Sequence, residues 1–179
     1  MEIRTSQIRE LLNGHEARSE IKTLEVCASN EMSSVVVPDR ERPAIFVVNT
    51  DPNFRRGKHW VLIHLQKRCR DSVRDSLQPP RTIFFDPLGF APSHYGRRMV
   101  RFLKLNARDG EKYGANRKRL QKLTSSCCGF FCCFYAMQLM EGATSMQQIT
   151  SRMEEMTENN IVSSVLVKSH MFAAKCLHE

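Results

Sequence analysis

No run of apolar residues in this chain approaches the length of about 20 that a membrane helix needs, so no membrane span is expected. No apolar signal core follows Met1, and the seven cysteines are an odd number, an awkward count for a disulfide framework. Together these argue against a secreted scaffold and for a reducing intracellular compartment. Internal repeats and low-complexity tracts are missing. With 179 residues available for one substantial core, residues 1–179 are read as a single domain. Acid is scarce: 19 Asp and Glu oppose 27 Lys and Arg, leaving +8 at pH 7 and an attraction to polyanions. The cysteines lack the C-x-x-C spacing of a zinc knuckle, so no metal is expected.

Four of the cysteines fall in residues 124–135, T-S-S-C-C-G-F-F-C-C-F-Y. The run at 130–140 has Gln138 as its one strongly polar member and predicts a helix buried on all sides. Thr124, Ser125 and Ser126 offer capping hydroxyls just before it. A cysteine in the first turn of such a helix meets unpaired N–H groups and the positive end of the dipole, which favour the nucleophilic thiolate. The same N–H groups can hold an oxyanion. Cys128, beside a glycine that leaves its approach open, is the better placed of the first pair, whereas Cys127, Cys132 and Cys133 read as small core hydrophobes.

A nucleophile needs a base and an orienting acid. In chain order the pattern predicts a short helix over 6–12, an unreadable stretch at 13–32, a short edge strand at 35–37 and a buried strand at 44–48. A strand at 59–65 and another at 82–85 follow, joined by a charged connection at 67–80. His59 opens the first of these two strands and Asp86 ends the second, so antiparallel pairing puts base and carboxylate at one end of the sheet. His64, five residues along the strand, falls on its other face about 16 Å away and is the poorer base. Further on, the pattern predicts a helix from 92 to about 105, a last strand at 117–123 carrying Gln121, and two packing helices. The first of these carries Met146, Ile149, Met153 and Met156, the second Ile161, Val165 and Leu166.

G-K-H-W (57–60), F-F-D-P-L-G-F (84–90) and Q-x-x-x-x-x-x-C-G-F-F-C-C (121–133), with V-V-N-T (47–50) upstream, resemble the adenovirus maturation protease family, the adenains. The resemblance covers about residues 44–140, and related proteases of virus-like transposons share it, as more distantly do the SUMO- and ubiquitin-like deconjugating enzymes. The order His, carboxylate, Gln, Cys excludes the papain-like order. The resemblance implies an α+β cysteine protease fold, a small mixed sheet packed on a central buried helix that starts at the nucleophile. It implies His59 as base, Asp86 as orienting acid, Gln121 as oxyanion donor and Cys128 as nucleophile. It also implies cleavage of viral capsid or core precursors near glycine, a place in the host nucleus and the virion, and activation by DNA and by a viral peptide. This chain departs from the family in several places. Asp86 replaces the glutamate of mammalian adenoviral enzymes, and a basic insertion lies around 67–81. Residues 90–126 contain no cysteine to which an activating peptide could be disulfide-linked, so noncovalent strand addition is the form left.

Residues 97–122 hold ten Lys or Arg against Asp109 and Glu111. With Arg97, Arg98, Arg101, Lys104, Arg117, Lys118 and Arg119 as its main cations, this segment is the expected DNA-binding face. The expected protein is thus a monomeric thiol endopeptidase of viral maturation. The alternatives are a SUMO- or ubiquitin-like isopeptidase and, in a different class, a catalytically silent nucleic-acid-binding protein.

Overall fold

The computed structural model describes residues 3–13, 15, 19–32, 36–55, 57–67, 81–107 and 113–176, with side chains through residue 170. The described residues form a five-stranded mixed sheet in chain order: β1 (Thr23–Ala28), β2 (Ala44–Asn49), β3 (Trp60–Leu65), β4 (Thr82–Phe85) and β5 (Gly114–Ala115). The outer pairs, β1 with β2 and β4 with β5, are parallel, and the inner pairs are antiparallel. Five helices accompany the sheet: α1 (Thr5–Leu12), α2 (Arg97–Asn106), α3 (Cys128–Met140), α4 (Met146–Glu154) and α5 (Glu158–Cys176). The class is α+β, as expected. None of these helices is long and apolar enough to cross a membrane.

Every residue of β2, β3 and β4 is buried, because both faces of the sheet are covered. One face carries Ile45, Val47, Trp60, Leu62 and Phe85 and packs in one cluster with α3 and with residues of α1, α4 and α5. The other carries Phe46, Val48, Ile63 and Phe84 and packs with Met99, Phe102 and Leu103 of α2. Helix α3 is buried at every residue from Cys128 to Leu139, as its all-round apolar sequence requires. Its one strongly polar residue, Gln138, donates to Glu141 at 2.8 Å and accepts from Arg152 of α4. Glu141 in turn pairs with Lys168 of α5, so the polar end of the helix ties three elements together.

Several local expectations are corrected. Val36 and Val37 form no strand; the Val37 N–H donates to the Asn106 side chain at 2.8 Å instead of to a ladder, and Val35 lies outside the described residues. The edge strand beside β2 is β1, inside the stretch whose pattern is unreadable, because its first half is only half-buried or exposed and shows no clean alternation. The strand expected at 59 begins at Trp60, leaving His59 just outside it. The helix expected from 92 is broken into a 3₁₀ turn (Pro92–Tyr95) and α2, with Gly96 at φ 95° between them, a conformation glycine takes without steric cost. Residues 117–123 form no strand. Leu120 and Gln121 donate their N–H groups to the same oxygen, that of Pro87, at 2.9 and 3.0 Å, and the paired segment is the two-residue β5. Most of the expected 67–80 connection, residues 68–80, lies outside the described residues.

Gly129 also needs a different explanation from open approach to Cys128. A Cβ there would stand 2.1 Å from Ile3 Cγ2 and 3.3 Å from Trp60 Cδ1, so the glycine makes room for the segment entering α1. The Trp60 indole N–H fixes that segment by donating to the Ile3 carbonyl at 3.1 Å. Gly129→Ala is expected to cost about 1–3 kcal/mol through overpacking. Urea unfolding should show the Gly129→Ala/Ile3→Ala double variant less destabilised than the sum of the two single changes, since the small residue removes the clash; simple additivity would exclude this contact.

Candidate active site

Antiparallel pairing of β3 and β4 sets Leu62 opposite Phe85, so the residues running off the two strands, His59 and Asp86, leave the sheet together. The His59 Nε2 and Asp86 Oδ1 atoms are 2.6 Å apart. The Cys128 side chain lies near enough to the same imidazole to help raise its pKa. The nitrogen that faces the carboxylate is Nε2. This reverses the serine-protease triad, in which Nδ1 faces the acid.

The turn Asp86-Pro87-Leu88-Gly89 closes with the Gly89 N–H on the Asp86 carbonyl at 2.9 Å, and Gly89 sits at φ 74°. A Cβ on Gly89 would also stand 2.9 Å from the backbone of Lys118, so no larger residue fits. The turn folds back N–H groups onto the side chain that opens it. Leu88 N–H donates to Oδ1 at 2.8 Å and Phe90 N–H to Oδ2 at 2.9 Å. With the Tyr95 hydroxyl on Oδ2 at 2.7 Å and His59 on Oδ1, each oxygen of this fully buried carboxyl has two partners.

Two contributors were not singled out in the sequence. Tyr95 donates to Asp86 and also stacks on His59, ring centroids 5.7 Å apart at 24°. Asn116 accepts from the Asp86 N–H at 2.8 Å and donates to the Asp86 carbonyl at 2.6 Å, clamping its backbone. Spacing gives no warning of Asn116, whose partner is 30 residues away; an aromatic shortly after D-P-L-G is a weak signal for Tyr95.

Gln121 is buried and bridges the two halves of the site. Its backbone N–H donates to the Pro87 carbonyl, and its amide Nε2 donates to the Ser125 carbonyl at 2.7 Å, in the loop leading to Cys128. One of its two amide hydrogens is thereby used and the second remains, while Oε1 is buried without a partner among the described residues. Cys127 occupies the cap position of α3 and its own side chain makes no capping bond, while of the expected hydroxyls Ser125 Oγ accepts from Cys127 N–H at 3.3 Å. Cys128 is thus the first helical residue, where backbone N–H groups have no intrahelical acceptor. Cys132 and Cys133 are fully buried, and Cys127 is half-buried.

The structure does not bring His64 to the site. It lies inside the sheet between Ile45 and Ile83, and burial lowers its pKa to about 4. The expected nucleic-acid cations divide between two places. Arg97, Arg98, Arg101 and Lys104 are exposed on α2, with Arg98 donating to the Asn30 carbonyl at 2.7 Å; Arg117, Lys118 and Arg119 are exposed in the loop beside Gly89, with Lys118 paired to Glu154 at 2.7 Å. No group of three or more potential metal ligands occurs among the described residues. A scan against protein-family models matches none of them, and a search of curated proteins returns no match.

Burial pushes the His59 pKa down, but the hydrogen bond and charge of Asp86, with the neighbouring Cys128, outweigh it and raise the pKa to about 9. The folded ring keeps its proton to a higher pH than the ordinary value of 6.5, so its stabilising contribution is complete below pH 6.5 and lost as pH rises through about 9. The urea midpoints of the wild type and His59→Ala should converge across that window, and NMR titration of Asp86→Asn should find the His59 pKa lowered. An unchanged His59 pKa in Asp86→Asn would remove Asp86 as its partner.

Proposed function

We propose that this protein is a cysteine endopeptidase with an adenain-like fold, cutting viral capsid or core precursors near glycine during virion maturation. The observation that carries the reading is one imidazole bonded to a fully buried carboxyl and neighboured by a cysteine at the first residue of a buried helix. In the proposed reaction Cys128 sulfur attacks the scissile carbonyl carbon. The oxyanion forms beside the Cys128 backbone N–H and the second amide hydrogen of Gln121. His59 gives its proton to the leaving amine, and a thioester remains on Cys128. His59 then takes a proton from water as the water adds to the thioester, and release of the acid restores thiolate and imidazolium. Asp86 and Tyr95 keep the ring oriented throughout.

The test is hydrolysis of glycine-containing precursor peptides, with an electrophilic thiol probe read by mass spectrometry. Cys128→Ala should abolish cleavage and probe capture, while Cys127→Ala, Cys132→Ala and Cys133→Ala keep at least partial activity. Gln121→Ala should lower turnover by roughly 10²–10³ if its amide serves the oxyanion. Full activity in Cys128→Ala ends the proposal. Preferential hydrolysis of a di-glycine-ended modifier conjugate would make the enzyme an isopeptidase instead.

DNA is the proposed polyanionic partner, through Arg97, Arg98, Arg101, Lys104, Arg117, Lys118 and Arg119, and the host nucleus and virion are the proposed locations. A noncovalent viral peptide is the proposed second activator. The exposure of these cations suits phosphate contacts, which carry no base readout. Arg117→Glu with Arg119→Glu should weaken duplex binding and leave basal cleavage intact. Affinity should fall with salt by about 0.9 log units per phosphate contact per decade, and binding indifferent to salt would contradict an electrostatic interface.

A further inference from the structure

Helix α2 carries apolar residues on two sides, and the sheet covers one of them. Met99, Phe102 and Leu103 pack into the cluster beneath, whereas half-buried Val100 and Leu105 belong to neither apolar cluster of the described residues. They line a groove of about 440 Å³, together with Ser93, Gly96, Arg97, Arg101 and Lys104. That volume is within the range of about 300–1,000 Å³ that holds ligands.

The lining is mostly apolar although three of its residues are charged. Arg97, Arg101 and Lys104 therefore give the groove their hydrocarbon stems and keep their charged heads at its rim. Positions 97, 100, 101 and 104 recur at helical spacing, so the three cations flank Val100 along one outward stripe. Arg98, beside them, is tied to the Asn30 carbonyl at 2.7 Å; the three groove cations have no ion pair among the described residues. Residues 87–107 contain no Asp or Glu, so the neighbouring chain does not neutralise them. An apolar floor with a charged rim is the mark of an interaction surface. Duplex DNA would use the heads and leave the floor uncovered, and a neutral apolar segment would cover the floor and leave the heads unmatched.

We propose that this groove docks an acidic segment of a partner protein. One or two bulky apolar residues of that segment sit over Val100 and Leu105, and its Asp or Glu side chains meet Arg97, Arg101 and Lys104. The proposal is independent of the endopeptidase reading. It shares three cations with the proposed DNA interface, so duplex and acidic segment exclude each other on α2. Burial of apolar surface gives the segment an affinity that salt does not screen, and the cations select for acid.

The experiment measures fluorescence anisotropy of three fluorescein-labelled octapeptides, E-E-F-E-E-L-E-E, E-E-S-E-E-S-E-E and K-K-F-K-K-L-K-K, with the full-length protein. The first should bind about tenfold tighter than the second, the scale of one large apolar side chain leaving water, and the third should bind weakest. Raising salt from about 50 to about 200 mM should weaken both acidic peptides and preserve the ratio between them. Val100→Ser with Leu105→Ser, two positions outside the core clusters, should abolish that ratio and leave the affinity of the serine peptide unchanged. Arg97→Glu with Arg101→Glu should weaken both acidic peptides. Equal binding of the first two peptides by the unaltered protein would make this face a polyanion surface only. A ratio that survives Val100→Ser with Leu105→Ser would put the apolar contact elsewhere. Either result overturns the groove, as does a lysine peptide that binds as tightly as the first. So does a failure of every peptide to bind, including the case in which vesicles of anionic phospholipid capture the protein instead.

Discussion

A helix with no polar face has to be enclosed from every direction, and that requirement organises this fold. Burying α3 from Cys128 to Leu139 recruits one face of the sheet together with α1, α4 and α5. At roughly 1.5–3 kcal/mol for each large apolar side chain removed from water, a run containing Phe130, Phe131, Phe134, Tyr135, Met137 and Leu139 is a major part of the drive to fold. An enclosed helix has unsatisfied donors only at its N-terminal end. The first residue there, Cys128, is held by the packing of everything behind it, so the geometry of the candidate site is a consequence of the core.

The second organising element is the turn that starts at Asp86. Its carboxyl is fully buried, which is costly for an acid unless its oxygens are met. Two donors come from the turn itself, one from Tyr95 and one from His59. The turn also fixes the 116–121 segment in space: Pro87 accepts from Leu120 and Gln121, and Asn116 grips Asp86 by both backbone groups. Four residues of local structure thereby position the acid, the base and the loop that leads into the nucleophile. Asp86→Asn therefore perturbs more than the charge beside His59, because an amide cannot accept at all four places.

What could be read in the sequence follows from how local its cause is. The β2, β3 and β4 runs are buried on both faces, so their apolar sequence is continuous and plain. The all-round apolar α3 was equally legible, as were the methionine and isoleucine stripes of α4 and α5. The edge strand β1 was not, because an edge need bury only part of itself and Glu25 interrupts the alternation. Residues 117–123 looked like a strand but gave their N–H groups to a turn, a choice made by Pro87 and invisible at short range. His59, Asp86 and Cys128 could be named from residue type and position, and the structure brings these three together. Tyr95 and Asn116 escaped notice because their roles depend on partners that only the folded chain supplies.

The same depth that organises the core also separates the cysteines chemically. Cys127, Cys128, Cys132 and Cys133 occupy little more than one and a half turns, yet they meet different surroundings. Burial pushes the Cys132 thiol well up, reinforced by the nearby Cys128, and burial alone raises Cys133. Across the sheet, Cys27 is pushed up to about 12 by burial and then by Glu25 and Glu31. These thiols stay protonated at any ordinary pH and behave as small hydrophobes. Cys128 alone among them has the His59 imidazole as a neighbour and the open N–H groups of the first helical turn. A cysteine-rich segment can therefore sit in a protein interior without competing nucleophiles, because one turn of helix, about 5.4 Å, separates the end that meets donors from the interior that has none.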